Sequence, residues 1–232
     1  MLSVIINALF NHAPITFTDI LAEILAVLLI IFLILPFHEW AHAFAALCLG
    51  DKGIKQRGRL SINPVNHIDP IGALCMLLFG FGWAKPVPID PRNFKNQKVG
   101  MAISALAGPV ANIVAALAGM LVYYALSFFA LEFLVSTVGD FISVFLSYYI
   151  LCNISLAVFN LIPIPPLDGS KILFVFLPDK AVEFCYRYQN IFFLILFAGL
   201  YTNIFDGILG WATGGLLNGI SWLASLPFIP FM

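Results

Sequence analysis

Apolar runs long enough to cross a lipid bilayer dominate this sequence and limit it to the folds that a membrane permits. A membrane-spanning helix needs about 20 predominantly apolar residues, and runs near that length occupy residues 24–49, 100–129, 141–162, 184–201 and 207–226. Only 10% of the 232 residues are charged and 62% are hydrophobic, whereas a soluble domain carries about 25% charged residues. The sequence therefore predicts a polytopic membrane protein, and its composition argues against a soluble globule, a disordered chain and a nucleic-acid-binding protein.

A shorter apolar run, residues 71–83, does not reach the length of a crossing. Its 13 residues suit a re-entrant or interfacial segment. The proline-rich stretch that follows, 84–98, is predicted to be a loop or an edge strand because proline lacks an amide donor. We therefore expect an all-α polytopic membrane protein with about five transmembrane helices plus a re-entrant or β-hairpin element.

The positions of lysine and arginine indicate the orientation of the chain. Eight of the eleven basic residues lie between Lys52 and Lys98, and the others are Lys171, Lys180 and Arg187. None lies in residues 1–51 or 130–140. Because basic residues concentrate in cytoplasmic loops, both basic regions are predicted to be cytoplasmic. This orientation requires residues 71–83 to enter and leave the bilayer from the same face, with the N-terminus outside and the C-terminus inside.

The ionisable residues deepest inside a predicted span are His38, Glu39 and His42, spaced as H-E-x-x-H. A carboxylate near mid-bilayer costs about 2.5–3.5 kcal/mol on insertion scales, so such residues usually mark function. On a helix the i, i+4 spacing places both imidazoles on one face, where a single zinc ion can bridge them. Glu39 lies about 100° around the helix, within reach of a water on the metal. The alternative is a pair of buried histidines that bond to neighbouring helices.

A catalytic zinc ion usually has three protein ligands and one open position, so a third ligand is required. Asp168 is the best placed, because it follows Pro163, Pro165 and Pro166, which break a predicted helix. Broken backbone at membrane depth is tolerated only beside protein or a water-filled cavity. Taken alone, an aspartate in this position is more often a helix cap or a turn carboxylate.

The chain resembles the site-2 protease family of intramembrane zinc metalloproteases, in the compact prokaryotic form without PDZ or CBS domains. The resemblance to the family rests on three segments in the family's order: His38-Glu39-x-x-His42, Gly108-Pro109-x-x-Asn112 and Asn160-x-x-Pro163-x-Pro165-Pro166-x-Asp168-Gly169. The resemblance to its compact prokaryotic members rests on Asn63-Pro64 with Asp69-Pro70 and on Gly82-Trp83-Ala84-Lys85-Pro86-Val87-Pro88. It implies that His38, His42 and Asp168 are zinc ligands and that Glu39 is the catalytic base. We expect one membrane-embedded metalloprotease domain, 1–232, with a catalytic core at about 20–175 and C-terminal helices at about 180–228.

Four other features are assigned from the sequence, and two of them have two readings. Asn160 is a candidate donor to the oxyanion or to the substrate backbone, or else a helix–helix contact. Asn112 is predicted to hydrogen-bond between helices, beside a glycine that permits close packing, and His67 is predicted to be a loop residue. The extended stretch 80–91 either pairs with the substrate as an added strand or is a structural loop that covers the site.

These observations predict an intramembrane zinc endopeptidase whose partners are the lipid bilayer and a membrane-spanning protein substrate. A zinc-activated water is expected to attack the peptide bond within or near a transmembrane segment, with Glu39 as general base. We expect the protein in the plasma membrane, with its active site toward the cytoplasm; an oligomer or a regulatory membrane partner is compatible with the sequence. The alternative is a membrane zinc transporter or channel, which should carry ionisable residues along a pathway.

Overall fold

The computed structural model describes residues 24–79 and 82–231, and within them the chain is almost entirely helical. Short 3₁₀ turns lie at Pro64–Asn66, Pro91–Asn93 and Leu226–Phe231. The helices are α1 (Ile24–Cys48), α2 (Gly53–Gln56), α3 (Pro70–Phe79), α4 (Gln97–Phe129), α5 (Leu131–Leu134), α6 (Thr137–Asn160), α7 (Asp168–Leu173), α8 (Asp179–Arg187), α9 (Gln189–Tyr201) and α10 (Asp206–Ser225).

Three helices, α1, α4 and α6, are long and apolar enough to cross a membrane, with 25, 33 and 24 residues. A fourth crossing exists if α9 and α10, which meet at a bend of 83°, form one broken span. The sequence predicts two separate crossings in this region. The structure differs because helix α8 includes the residues up to Arg187, which leaves α9 with 13 residues. A helix of 13 residues is about 20 Å long, whereas the hydrocarbon core of a bilayer is about 30 Å thick. The prediction of an all-α polytopic membrane protein is confirmed.

Helix α1 contains a π-helical turn at Ile30–Ile34, in which the Leu35 amide donates to the Ile30 carbonyl five residues earlier. Pro36 follows at once and has no amide hydrogen to continue the regular pattern. A π turn widens the helix locally and frequently occurs at functional sites. It lies directly before the histidines, so it contributes to the direction in which α1 presents them.

Helix α4 is the central element, because it packs against α1, α6, α7 and α10. Small buried residues line its contact surfaces and let neighbouring backbones approach closely: Gly100, Ala102, Ala105, Gly108, Ala115, Ala116 and Gly119. Toward the other end, Met120 packs with Ile150 and Ile154 of α6 and with Ile220 of α10. This cluster holds the long helices together beyond the site.

Helix α3 is the core of a re-entrant segment. Its ten residues extend only about 15 Å, and the residues on either side meet each other. Ile68 forms an antiparallel bridge with Ala84, and the Lys85 amide donates to the His67 carbonyl at 2.7 Å. Two ends that are hydrogen-bonded to each other cannot lie on opposite faces of a bilayer. The segment therefore returns to the face from which it enters, as the distribution of basic residues requires.

Large apolar side chains are exposed around the outside of the helices. Phe32 on α1, Val114 on α4, Leu194 on α9 and Trp211 on α10 are all more than half exposed. A water-soluble protein rarely exposes so much contiguous apolar surface. These residues form the surface that a multi-pass membrane protein presents to lipid.

Candidate metal centre

The two histidines of α1 are buried near the middle of the helix. His38 and His42 are 3% and 6% exposed, and their ring centroids lie 4.5 Å apart with nearly perpendicular planes. His38 lies ten residues before the end of α1 at Cys48, about 15 Å along the helix axis. The one-turn spacing places both imidazoles on the same side, facing α4 and α7.

Asp168, the first residue of α7, brings a carboxylate to the two imidazoles. Its Oδ2 atom lies 3.3 Å from His38 Nε2 and 3.0 Å from His42 Nε2. The two Nε2 atoms are 2.9 Å apart. Residues from two distant parts of the sequence thus present three potential ligand atoms to a common point, as a metal site requires.

This donor set fits zinc in both chemistry and size. Two imidazole nitrogens and one carboxylate oxygen are typical ligands of a catalytic zinc ion, which keeps a fourth position open. Ligand atoms at zinc distances of about 2.0–2.1 Å and tetrahedral angles lie about 3.3 Å from one another. The observed separations of 2.9–3.3 Å therefore need only a small expansion to hold the ion.

A backbone carbonyl of α4 orients the ring of His42. The Nδ1 atom of His42 lies 2.7 Å from the Ser104 carbonyl oxygen. Because a carbonyl only accepts hydrogen bonds, Nδ1 carries the hydrogen, and the neutral ring keeps its Nε2 lone pair free to face the cluster. His38 Nδ1 is buried without a hydrogen-bond partner among the described residues.

Gly108 allows α4 to approach the histidines. A Cβ atom at this position would collide with the imidazole rings of both His38 and His42. The sequence predicts a small residue here for helix packing, and the structure shows that the glycine leaves room for the site itself. Asn112, one turn further along α4, is fully buried, and neither of its amide atoms has a partner among the described residues. The predicted hydrogen bond from Asn112 to another helix is therefore not seen.

Lys171 also contributes to the site, although the sequence does not predict it. Its Nζ atom donates to Asp168 Oδ1 at 3.0 Å, while Oδ2 of the same carboxylate faces the imidazoles. The i, i+3 spacing of Asp168 and Lys171 on a helix is the only sequence signal for this pair. Gly169 packs against the Leu161 and Ile162 carbonyls, where a Cβ atom would collide, so the turn after α6 holds Asp168 closely.

Glu39 lies beside the cluster but does not belong to it. Its Oε2 atom accepts a hydrogen bond of 3.1 Å from the Val87 amide. It is separate from the three residues that converge as possible ligands. The role of Glu39 as general base therefore stays a prediction.

Asn160 and His67 are held by local contacts. The Nδ2 atom of Asn160 donates to the Leu156 carbonyl of its own helix at 3.0 Å, so this nitrogen is engaged and its role toward a substrate stays a prediction. His67 is 1% exposed and binds the Ser61 carbonyl at 2.7 Å through Nε2. Its contacts are those of a buried residue that stabilises a loop.

Comparisons with known proteins identify a family and several relatives. The sequence profile of peptidase family M50 matches residues 26–201, which include all the candidate site residues. A protein of Bacillus subtilis named "Putative zinc metalloprotease YwhC" is 37% identical over 174 residues, or 73% of this chain and 79% of that protein. "Putative zinc metalloprotease Rip2" of Mycolicibacterium smegmatis is 30% identical over 141 residues, or 59% of this chain and 51% of its own length. No solved structure matches the chain at a comparable significance.

Proposed function

This chain belongs to peptidase family M50, and from that premise we propose that it cleaves membrane proteins within or near their transmembrane segments. Membership makes it a zinc metallopeptidase. The observation that carries the finer assignment is the buried cluster of His38, His42 and Asp168 inside a bundle of membrane-spanning length, with Glu39 beside it. We place the catalytic core at about residues 20–175.

In this proposal, His38 Nε2, His42 Nε2 and one oxygen of Asp168 would hold the zinc ion. Zinc in such a site acts as a Lewis acid, which makes a water molecule nucleophilic at neutral pH and polarises a carbonyl oxygen. Glu39 accepts a proton from the water as its oxygen bonds to the peptide carbon. When the carbon–nitrogen bond breaks, Glu39 returns the proton to the departing amine.

The depth of the cluster supports a substrate inside the bilayer. The basic residues between Lys52 and Lys98 favour a cytoplasmic position for the end of α1, so the site lies about 15 Å below that surface. A peptide bond in a helix is shielded by its own hydrogen bonds and must be locally unwound to react. Residues 161–167 join α6 to α7 without regular helix. We propose that they line a water-filled path to the site, because irregular backbone at membrane depth is tolerated beside such a path. We propose the plasma membrane as the location, with access from the cytoplasm.

A zinc transporter is the alternative function, and the structure gives it no specific support. The described residues contain one cluster of metal-ligand type, whereas a transport pathway needs ionisable residues at several depths.

The proposal is tested with purified protein reconstituted together with a membrane-spanning substrate. In Glu39→Gln, zinc content should stay near the wild-type value, while cleavage falls at least 10²-fold because the amide cannot accept the proton. In Asp168→Ala, both zinc and cleavage should be lost because the chelate is broken. Glu132→Gln, at an exposed carboxylate on α5, is the matched control and should cleave normally.

Each variant has an outcome that contradicts the proposal. Near-normal cleavage by Glu39→Gln would remove Glu39 as the base. Stoichiometric zinc in Asp168→Ala would mean that another residue is the third ligand. Loss of zinc together with activity in Glu39→Gln would make Glu39 part of the metal site.

A further inference from the structure

The sequence Pro86-Val87-Pro88 leaves a single backbone donor beside the candidate base. Proline has no amide hydrogen, so Val87 supplies the only N–H of these three residues. That N–H donates to Glu39 Oε2 at 3.1 Å. The two proline rings also restrict the backbone on both sides of this donor, which limits how far the amide can move.

The remaining amides of this stretch are engaged elsewhere within the protein. The Lys85 amide donates to the His67 carbonyl at 2.7 Å and the Ile89 amide to the Val87 carbonyl at 3.0 Å. The Asp90 amide donates to Asp51 Oδ2 at 2.9 Å. From Lys85 to Asp90, therefore, no amide hydrogen is left to pair with an added strand. Within residues 85–90, pairing with a substrate strand would therefore have to rely on backbone carbonyls alone.

The side chain of Val87 fixes the amide relative to α1. It is 9% exposed and lies in an apolar cluster with Ala43 and Ala46. These two residues follow Glu39 by four and seven positions, so all three occupy one face of α1. The same helix face thus carries both the carboxylate and the surface against which the donor's side chain packs.

The buried carboxylate of Asp51 anchors the Asp90 end of the segment 85–90. Asp51 is fully buried just beyond the end of α1, and its oxygens accept hydrogen bonds from Arg57, Asn93 and the amides of Gly53 and Asp90. With the Ile68–Ala84 bridge at the near end, the segment is tied to the protein on both sides of Val87.

We propose that the Val87 amide is a positioning group that holds the Glu39 carboxylate in the orientation required for proton transfer. This inference rests on the proposed role of Glu39 as general base. A hydrogen bond to Oε2 restricts the rotation of a long side chain and leaves Oε1 available to accept the proton. The extended segment over the site is then part of the catalytic apparatus, through its backbone and not through a side chain.

The test removes this hydrogen while it keeps the side chain at position 87. Incorporating the α-hydroxy analogue of valine at position 87 replaces the amide with an ester, which keeps the side chain and deletes the N–H. We expect kcat to fall about 10- to 100-fold through misorientation of the base, with KM changed by less than about twofold. Zinc content should stay at the wild-type value, because no metal ligand is altered. A thermal melt in detergent verifies that the ester protein is folded.

The matched control is the same ester replacement at Ile89, whose N–H bonds within the segment and not to Glu39. Val87→Gly is a second variant that keeps the N–H but loses the apolar anchor, and it should lower kcat by a smaller factor without loss of zinc. In a Glu39→Gln background, the ester at position 87 should produce no further decrease in residual hydrolysis.

The inference fails if the esters at positions 87 and 89 have the same kcat, or if the Val87 ester lowers residual hydrolysis equally in the Glu39→Gln background. In either case, inactivity of Glu39→Gln with normal zinc would leave the proposed function intact. Full activity of Glu39→Gln would instead overturn the proposed function together with this inference.

Discussion

Two of the three side chains of the candidate metal cluster, those of His42 and Asp168, are oriented by different kinds of contact. Ser104 holds His42 through its backbone carbonyl, and Lys171 holds Asp168 through an ammonium group. The Lys171 bond occupies Oδ1 and leaves Oδ2 directed at the imidazoles, an arrangement that favours binding of the metal through one oxygen. Contacts that orient metal ligands commonly change metal affinity by 10–100-fold when removed.

Lys171→Met should therefore weaken zinc binding by about 10–100-fold, because the Asp168 carboxylate becomes free to rotate. Lys171→Arg, which keeps a cation beside Asp168, should weaken zinc binding less. Zinc affinity is measured by competition with a chelator in detergent, and unfolding temperature is recorded on the same samples. Lys180→Met removes an exposed lysine on α8 and is the control; equal affinity in Lys171→Met and Lys180→Met would show that the ion pair serves only the fold.

The site shows which kinds of residue a sequence reveals. His38, Glu39 and His42 could be singled out because their spacing is local and an i, i+4 pair shares a helix face wherever the helix lies. Asp168 became a firm candidate only through the family resemblance, since nothing in its local sequence distinguishes a ligand from a turn carboxylate. The Ser104 carbonyl and the Val87 amide could not be predicted, because backbone groups carry no residue-type signal and their roles arise from tertiary packing.

At the level of elements, the length of each apolar run and the positions of the basic residues predicted more of the structure than hydrophobic periodicity did. Residues 71–83 were expected to be re-entrant because they are short and lie between two basic stretches, and the Ile68–Ala84 bridge closes that segment. The C-terminal region was less predictable. The amphipathic helix α8 extends to Arg187, into the apolar run 184–201 that was expected to cross, and it leaves α9 with only 13 residues before the 83° bend to α10.

The re-entrant assignment predicts that both ends of the segment are reached from the same side of the membrane. In a variant without native cysteines, Lys55→Cys and Lys95→Cys should both react with a membrane-impermeant thiol reagent added from the cytoplasmic face. Both lysines are exposed, so access does not depend on unfolding. Glu132→Cys, in the connection between α4 and α6, should react only from the opposite face. Labelling of positions 55 and 95 from different faces would show that residues 71–83 cross.

For the molecule as a whole, helix α4 connects the helices that carry the candidate metal ligands, α1 and α7, with helix α10 near its other end. Near its start, Lys98 binds the Leu177 carbonyl and Asp179 beyond α7 at 2.8 and 2.7 Å. Ser104 and Gly108 meet the histidines in its first half, and Tyr124 bonds to Ser221 of α10 at 2.8 Å near its other end. One helix thereby fixes the relative positions of α1, α7 and α10.

The depth of the site predicts where a substrate is cut. Moving a Gly-Pro pair along a model transmembrane segment changes the depth at which that segment unwinds. Cleavage should be fastest when the unwound bonds lie about 15 Å from the cytoplasmic surface, because His38 lies about that far from the end of α1 that we propose to face the cytoplasm. Mass spectrometry of the products identifies the bond cut. Cleavage confined to the soluble flanks, whatever the position of the pair, would contradict a site at this depth.

The wide separation of the ligands in sequence has a consequence for biogenesis. His42 and Asp168 are 126 positions apart (168 − 42), so during synthesis α1 enters the membrane long before its carboxylate partner exists. The growing chain carries Glu39 and two histidines without the Val87 amide, the Ser104 carbonyl or Asp168 to compensate for lost hydration. We therefore expect zinc capture to be a late event in maturation, because a nascent chain that stops before Asp168 lacks one of the three proposed ligands.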